Sequence, residues 1–117
     1  MHPYSKRAIE LKDNRFKQDY RLGDFVYLNK TNDYLQILTK NMVLYDYIKI
    51  PSLATVISNL TKRDFKLSYK KISDEKELWF VDDGDIHIEE DNIWMALTGL
   101  WLKRKEEENV NTGIKTV

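Results

Sequence analysis

The sequence predicts an α+β domain: an antiparallel, strongly twisted sheet or small incomplete barrel of about five to six strands, with a short central helix and a C-terminal helix packed against it. Three observations carry this expectation. Short β-rich runs lie between polar turns, apolar residues at helical spacing follow Pro51-Ser52, and the stretch after Asp91-Asn92 carries the broad apolar stripe of a longer helix.

The first segment, residues 1–20, mixes Lys6, Arg7, Lys12, Arg15 and Lys17 with Glu10, Asp13 and Asp19. Its few apolar residues predict a short helix around Lys6 to Asp13 within a mobile or peripheral arm. A single domain is expected over residues 21–108. It opens on the strand Phe25-Val26-Tyr27-Leu28, bounded by Gly23-Asp24 and by the polar run Asn29 to Asp33. Tyr34 to Thr39 and Met42 to Ile48 flank Lys40-Asn41, where Asn tolerates the positive φ of a hairpin tip, so a three-stranded meander is expected. In that register Leu38 faces Val43, Ile37 faces Leu44 and Gln36 faces Tyr45. Leu35, Ile37, Met42 and Leu44 then share the core face, and Tyr34, Gln36, Tyr45 and Tyr47 share the other.

Pro51 stops a continuing central strand, and Ser52 is placed to cap a helix carrying Leu53, Val56, Ile57 and Leu60. Phe65 to Ile72 alternates as a strand and leads into the turn Ser73 to Lys76. A second hairpin joins Glu77 to Val81 with Asp85 to Glu89. A two-residue turn at Asp83-Gly84 would oppose Asp82 to Asp85, so the favoured register is a bulged turn with Gly84 left-handed, which pairs Phe80 with Ile86 and Leu78 with Ile88. Trp79 and His87 then share the other face. Asp91-Asn92 caps the last helix, with Ile93, Trp94, Ala96, Leu97, Leu100 and Trp101 as its apolar stripe and Trp94 in the core. Gly99 is expected to end or bend it, leaving Lys103 to Glu108 solvated and residues 109–117 as a frayed tail.

Composition removes several function classes. Apolar residues make up 42% of the chain and charged residues 32%, a balance too hydrophobic for a disordered chain and too polar for a membrane protein. The 19 basic and 19 acidic residues cancel, which withholds the general attraction to nucleic acid or anionic membranes. Without cysteine there is no disulfide, thiolate nucleophile or Cys-based metal site. Residues 1–30 contain no apolar segment of a secretion signal, so a cytoplasmic location is expected.

Three pieces of the chain carry a family resemblance. Arg21-Leu22-Gly23-Asp24-Phe25-Val26, Ile50-Pro51-Ser52-Leu53 running to Asp64-Phe65, and Asp91 to Gly99 with Ala96-Leu97-Thr98-Gly99 resemble a family of small uncharacterised proteins of Bacteroidetes and their phages. That family reads R-I-G-N-x-V at its opening, has an I-P-L-T-rich central helix ending in G-F, and closes on L-T-G-E-E-L. The resemblance spans residues 21–102. Asp64 stands where Gly is typical, and Leu100-Trp101 replace the acidic pair. It implies a small α+β accessory protein of a phage or mobile element, working in the host cytoplasm, and supplies no catalytic residues.

The candidate sites follow from residue types. The tyrosine face, with Trp79 and His87 beside it, has the aromatic composition of a protein interface, and Asp82, Asp83 and Asp85 add acidic surface. The acidic run from Asp82 to Asp91 lacks the spacing of a Ca²⁺ loop and serves equally as a hairpin tip and helix N-terminus, so no metal site and no cofactor are expected. Two histidines, no serine in a nucleophile elbow and no Gly-rich phosphate loop leave no catalytic motif. Lys62, Arg63, Lys66, Lys70 and Lys71, interleaved with Phe65 and Tyr69, form the one basic concentration and an alternative phosphate or nucleic-acid site. The leading expectation is a non-catalytic protein that binds and modulates or inhibits a host protein, anti-defence included. The alternatives are a binder sequestering a nucleotide or signalling molecule and a nucleic-acid-binding accessory protein. A homodimer would also bury the aromatic residues.

Overall fold

A computed structural model of the chain describes residues 3–17, 25–28, 36–37 and 47–111. It divides into two compact units, Met1–Thr55 and Val56–Val117, where the sequence reading draws one domain over residues 21–108. The α+β class holds. Among the described residues the strands form two antiparallel sheets of three, rather than one sheet or barrel of five to six. The reason is local pairing, since each sheet is assembled from strands close in sequence.

In the first unit, helix α1 spans Pro3–Asp13, three residues longer at its start than the charge-rich sequence suggested. Ser5, Ala8 and Leu11 lie about one turn apart and are buried, so this helix belongs to a packed unit even though its other positions are polar. Its end is a Schellman motif: the Phe16 amide donates to the Leu11 carbonyl at 2.9 Å and the Arg15 amide to that of Lys12 at 3.0 Å. Arg15 holds the left-handed position of that motif at φ 63°, and Phe16 and Leu11 are both buried.

Strand β1 is Phe25–Leu28, as its β-rich run predicts, and it is followed by β2, Gln36–Ile37, and β3, Tyr47–Lys49. The order is β2-β1-β3, so the first strand is central instead of the second. Val26 pairs with Gln36 on one side and with Lys49 on the other, and Tyr27 pairs with Ile48. The expected pairings of residues 36–38 with 43–45 reach into positions outside the described residues. By register Phe25, Ile37 and Ile48 share a face. Helix α1 packs against β3, where Ile48 meets Ala8, while Ile37 lies on the opposite edge strand and is 55% exposed. Ile37 is therefore not core: it has the expected parity but sits away from the strand that the helix packs on.

Helix α2 covers Leu53–Ser58 and is capped as expected, with the Thr55 amide donating to Ser52 Oγ at 3.2 Å. Val56 and Leu60 are buried, and Leu53 and Ile57 stay exposed.

The second unit carries β4, Lys66–Ser73, β5, Lys76–Asp82, and β6, His87–Glu90, in that spatial order. Tyr69 pairs with Trp79 and Leu67 with Val81, up to a bulge between Lys71 and Ser73. The β5–β6 register differs from the expected one: Asp82 pairs with His87, Val81 with Ile88, Phe80 with Glu89 and Trp79 with Glu90. Gly84 is left-handed at φ 95°, as the turn chemistry requires, yet the loop is wider than the bulged turn. Side-chain oxygens of Asp82 and Asp83 accept the amides of Gly84, Asp85 and Ile86. This favours a four-residue connection that draws Ile86 out of the strand.

Helix α3, Ile93–Asn111, packs against β5 and β6. Asn92 caps it, its Oδ1 accepting the Met95 amide at 3.1 Å. The helix continues past Gly99 to Asn111, so Lys103 to Glu108, mostly exposed as expected, and Asn109 to Asn111 are helical. Burial of Trp94, Ala96, Leu97 and Leu100 outweighs the cost of about 1 kcal/mol for an internal glycine. Among the described residues no helix is long and apolar enough to cross a membrane.

A non-glycine residue in the left-handed region is strained by about 1–2 kcal/mol. Replacement Arg15→Gly is therefore expected to raise stability by about 0.5–1 kcal/mol after the added unfolded-state entropy of glycine, read as a higher urea midpoint with an unchanged slope.

Candidate functional site

The best-defined constellation lies in the second unit and is built around Asp83 in the β5–β6 loop. The loop turns this carboxylate inward until its side chain is 0% exposed. Its Oδ1 accepts the amides of Asp85 at 3.0 Å and Ile86 at 2.8 Å. Its Oδ2 accepts Arg63 Nη2 at 2.6 Å and Arg104 Nε at 2.9 Å. Every strong acceptor direction is in use.

Arg104, in the second half of α3, also donates Nη1 to the Leu60 carbonyl at 2.9 Å and Nη2 to the Arg63 carbonyl at 3.1 Å and the Asp64 carbonyl at 3.4 Å. Its guanidinium lies 5.9 Å from the centre of the Phe65 ring. One planar cation thus joins α3, the segment after α2 and the β5–β6 loop. Burial by itself pushes the Asp83 carboxyl up. The hydrogen bonds from Arg63 and Arg104, with those from the Ile86 and Asp85 amides, outweigh it and hold this carboxyl well below the usual carboxylate range.

Beside this anchor the sheet presents its exposed apolar surface. By register Leu67 and Tyr69 share a face with Val81 and Trp79. Val81 is fully buried, whereas Leu67 is 40% and Tyr69 48% exposed on the adjacent strand, with Ile72 at 47% near the bulge. The Tyr69 and Trp79 rings are 4.7 Å apart and inclined by 50°. The Tyr69 hydroxyl donates to Glu77 Oε2 at 2.8 Å, and that bond, with burial and the charge of Glu77, raises the phenol pKa. The ring thus has a contact on one side and a hydrogen bond at its tip while remaining accessible.

The sequence-predicted residues are distributed differently from the expectation. Tyr34 and Tyr45 lie outside the described residues, and of Gln36 and Tyr47 only the strand backbone is described. Trp79 and His87 do not sit together: the observed register puts His87 on the opposite face, near Phe80 and 3.7 Å from Asp82. Asp85 is exposed, 3.9 Å from Arg63, whereas Asp83 is consumed internally and offers no surface. Lys62 is exposed; Arg63, the one arginine of the basic group, is engaged by Asp83. Lys66 and Lys70 stand on the face opposite Tyr69, and Lys71 is 3.8 Å from Asp74. Among the described residues no three His, Asp or Glu side chains are grouped to hold a metal ion.

Arg104 was missed because it lies in a stretch dense in charge. The available signal is its spacing, seven residues after Leu97 and three after Trp101, which continues the buried stripe. The chain matches no protein-family model, no characterised protein and no solved structure.

Breaking a buried ion pair by removing one partner costs about 3–5 kcal/mol. Asp83→Asn should therefore lower the urea-derived stability at neutral pH by about 3 kcal/mol, and Arg104→Lys should cost more than Arg63→Lys, whose side chain is 45% exposed. Because the folded-state pKa of Asp83 is depressed, its contribution is fully present above the unfolded value of about 3.9 and is lost as pH falls through the folded value. The stability gap between the wild-type protein and Asp83→Asn should stay constant above about pH 5 and close on acidification.

Proposed function

We propose that this chain is a non-catalytic binding protein whose contact surface is the β4–β5 hairpin, centred on Tyr69 with Leu67 and the half-buried Trp79. The observation that carries this reading is that Leu67 and Tyr69, on one face of one strand, are left 40% and 48% exposed. Aromatic residues held rigidly beside open apolar surface are the usual anchors of protein interfaces. The Tyr69 ring, packed at an incline against Trp79 and tied to Glu77, loses little further freedom on binding.

The partner is a protein. Lys66 and Lys70 lie across the sheet from Tyr69, and Lys71, which shares its face, lies 3.8 Å from Asp74, an arrangement that argues against a surface that stacks bases and holds phosphates together; the engagement of Arg63 by Asp83 argues against a phosphate pocket there. The resemblance of residues 21–102 to proteins of Bacteroidetes and their phages supports a narrower form of the same reading. In that form the chain is an accessory protein of a phage or mobile element that modulates or inhibits a host protein in the host cytoplasm, with anti-defence as one such role.

A photo-reactive phenylalanine analogue placed at position 69 should crosslink a discrete partner protein, whereas the same group at the exposed Lys103 of α3 should not. Once that partner is purified, Tyr69→Ala should weaken its binding by at least about tenfold with little change in thermal midpoint. Equal crosslinking from both positions, or undiminished binding by Tyr69→Ala, would rule out this surface.

A further inference from the structure

The exposed hairpin ends in an open strand edge. Among the described residues strand β4 pairs with β5 on one side only, and all eight of its residues are exposed. In an antiparallel strand the amide and carbonyl groups of alternate residues point away from the paired neighbour. Among the described residues no backbone hydrogen bond is made to that outer side of β4. The bulge between Lys71 and Ser73 interrupts the edge, leaving Lys66 to Lys71 as its regular portion, about 20 Å long.

The two faces of this portion differ. On one, the row Leu67–Val81–Ile88 runs from β6 out to the edge, Leu67 and Tyr69 remain exposed where the row stops, and Lys71, 3.8 Å from Asp74, ends the face at the bulge. On the other, Lys66 stands opposite Asp82 and Lys70 opposite Leu78, and neither lysine closes an ion pair among the described residues. Lysine at a sheet edge discourages pairing with a like-charged strand. A second copy of β4 would set lysines beside lysines, so self-pairing is disfavoured. A strand with acidic residues on one face and apolar residues on the other complements both faces.

We propose that the outer edge of β4, from Lys66 to Lys71, docks an extended segment of a partner protein as an added fourth strand, with acidic residues beside Lys66 and Lys70 and apolar residues beside Leu67 and Tyr69. This rests on the protein-binding reading above and specifies its mode, in which backbone bonds supply affinity and alternate side chains supply selection.

The test uses the full ¹⁵N-labelled chain and two synthetic peptides of about ten residues, one alternating Glu with Val and the other Lys with Val, a length that spans the edge. The Glu/Val peptide should shift the β4 amides and slow hydrogen exchange at alternate positions between Lys66 and Lys71. The Lys/Val peptide should bind at least about fivefold more weakly, and the double replacement Lys66→Glu with Lys70→Glu should invert that preference. No change at the β4 amides up to millimolar peptide, or equal binding of both peptides, overturns the proposal. Tighter binding of oligodeoxythymidine at the same amides also overturns it, in favour of a nucleic-acid surface. If the peptides fail while position 69 still crosslinks its partner, strand addition falls and the protein-binding reading stands; if both fail, both fall.

Discussion

The second unit is organised by one carboxylate that receives two arginines. Asp83 is fully enclosed, and an enclosed carboxylate is tolerated only when its charge and its lone pairs are all answered. Arg63 and Arg104 answer the charge, and the Asp85 and Ile86 amides answer the remaining oxygen. The demand runs in the other direction as well. Arg104 needs several acceptors in its plane and takes them from the Leu60, Arg63 and Asp64 carbonyls, which would otherwise be loose ends after a short helix. A single polar network therefore sets the shape of the β5–β6 loop, the path from α2 into β4 and the position of α3 at its charged half.

That network matters to the surface because it holds the segment leading directly into β4. Leu67 and Tyr69 continue the apolar face whose centre is the buried Val81, but they do so on the outer strand. Exposure of this kind is costly in isolation, and it becomes useful when neighbouring structure keeps the residues in place. The zero net charge of the chain conceals a further asymmetry. Lysines are concentrated on the outer strand, while the β5–β6 loop keeps its acidic charge close to arginine. Overall charge balance thus excludes general attraction to polyanions without excluding a local preference for an acidic strand.

Much of this was legible in the sequence wherever the deciding interaction is short-range. Phe25–Leu28 is a strand because its residue types favour one, Ser52 and Asn92 cap helices through amides three residues away, and Gly84 is left-handed because the loop needs positive φ there. These positions follow from steric and hydrogen-bonding preferences within a few residues. The α+β class follows from them.

Register, sheet partition and the anchor required the tertiary structure. Hydrophobic matching alone favoured Phe80 opposite Ile86, but the Asp82 and Asp83 side chains compete for the loop amides and move the pairing. Gly99 reads locally as a helix end, yet burial along Trp94 to Leu100 carries the helix past it. Asp83 and Arg63 each look like surface charge when read alone. Their pairing with each other and with Arg104, 20 and 21 residues from Asp83, is decided by which elements pack together, a competition that no local pattern encodes. Sequence by itself determined the class, the caps and the turn chemistry, because those are settled within a turn or two of chain; the fold decided which charges are hidden and which edge stays open.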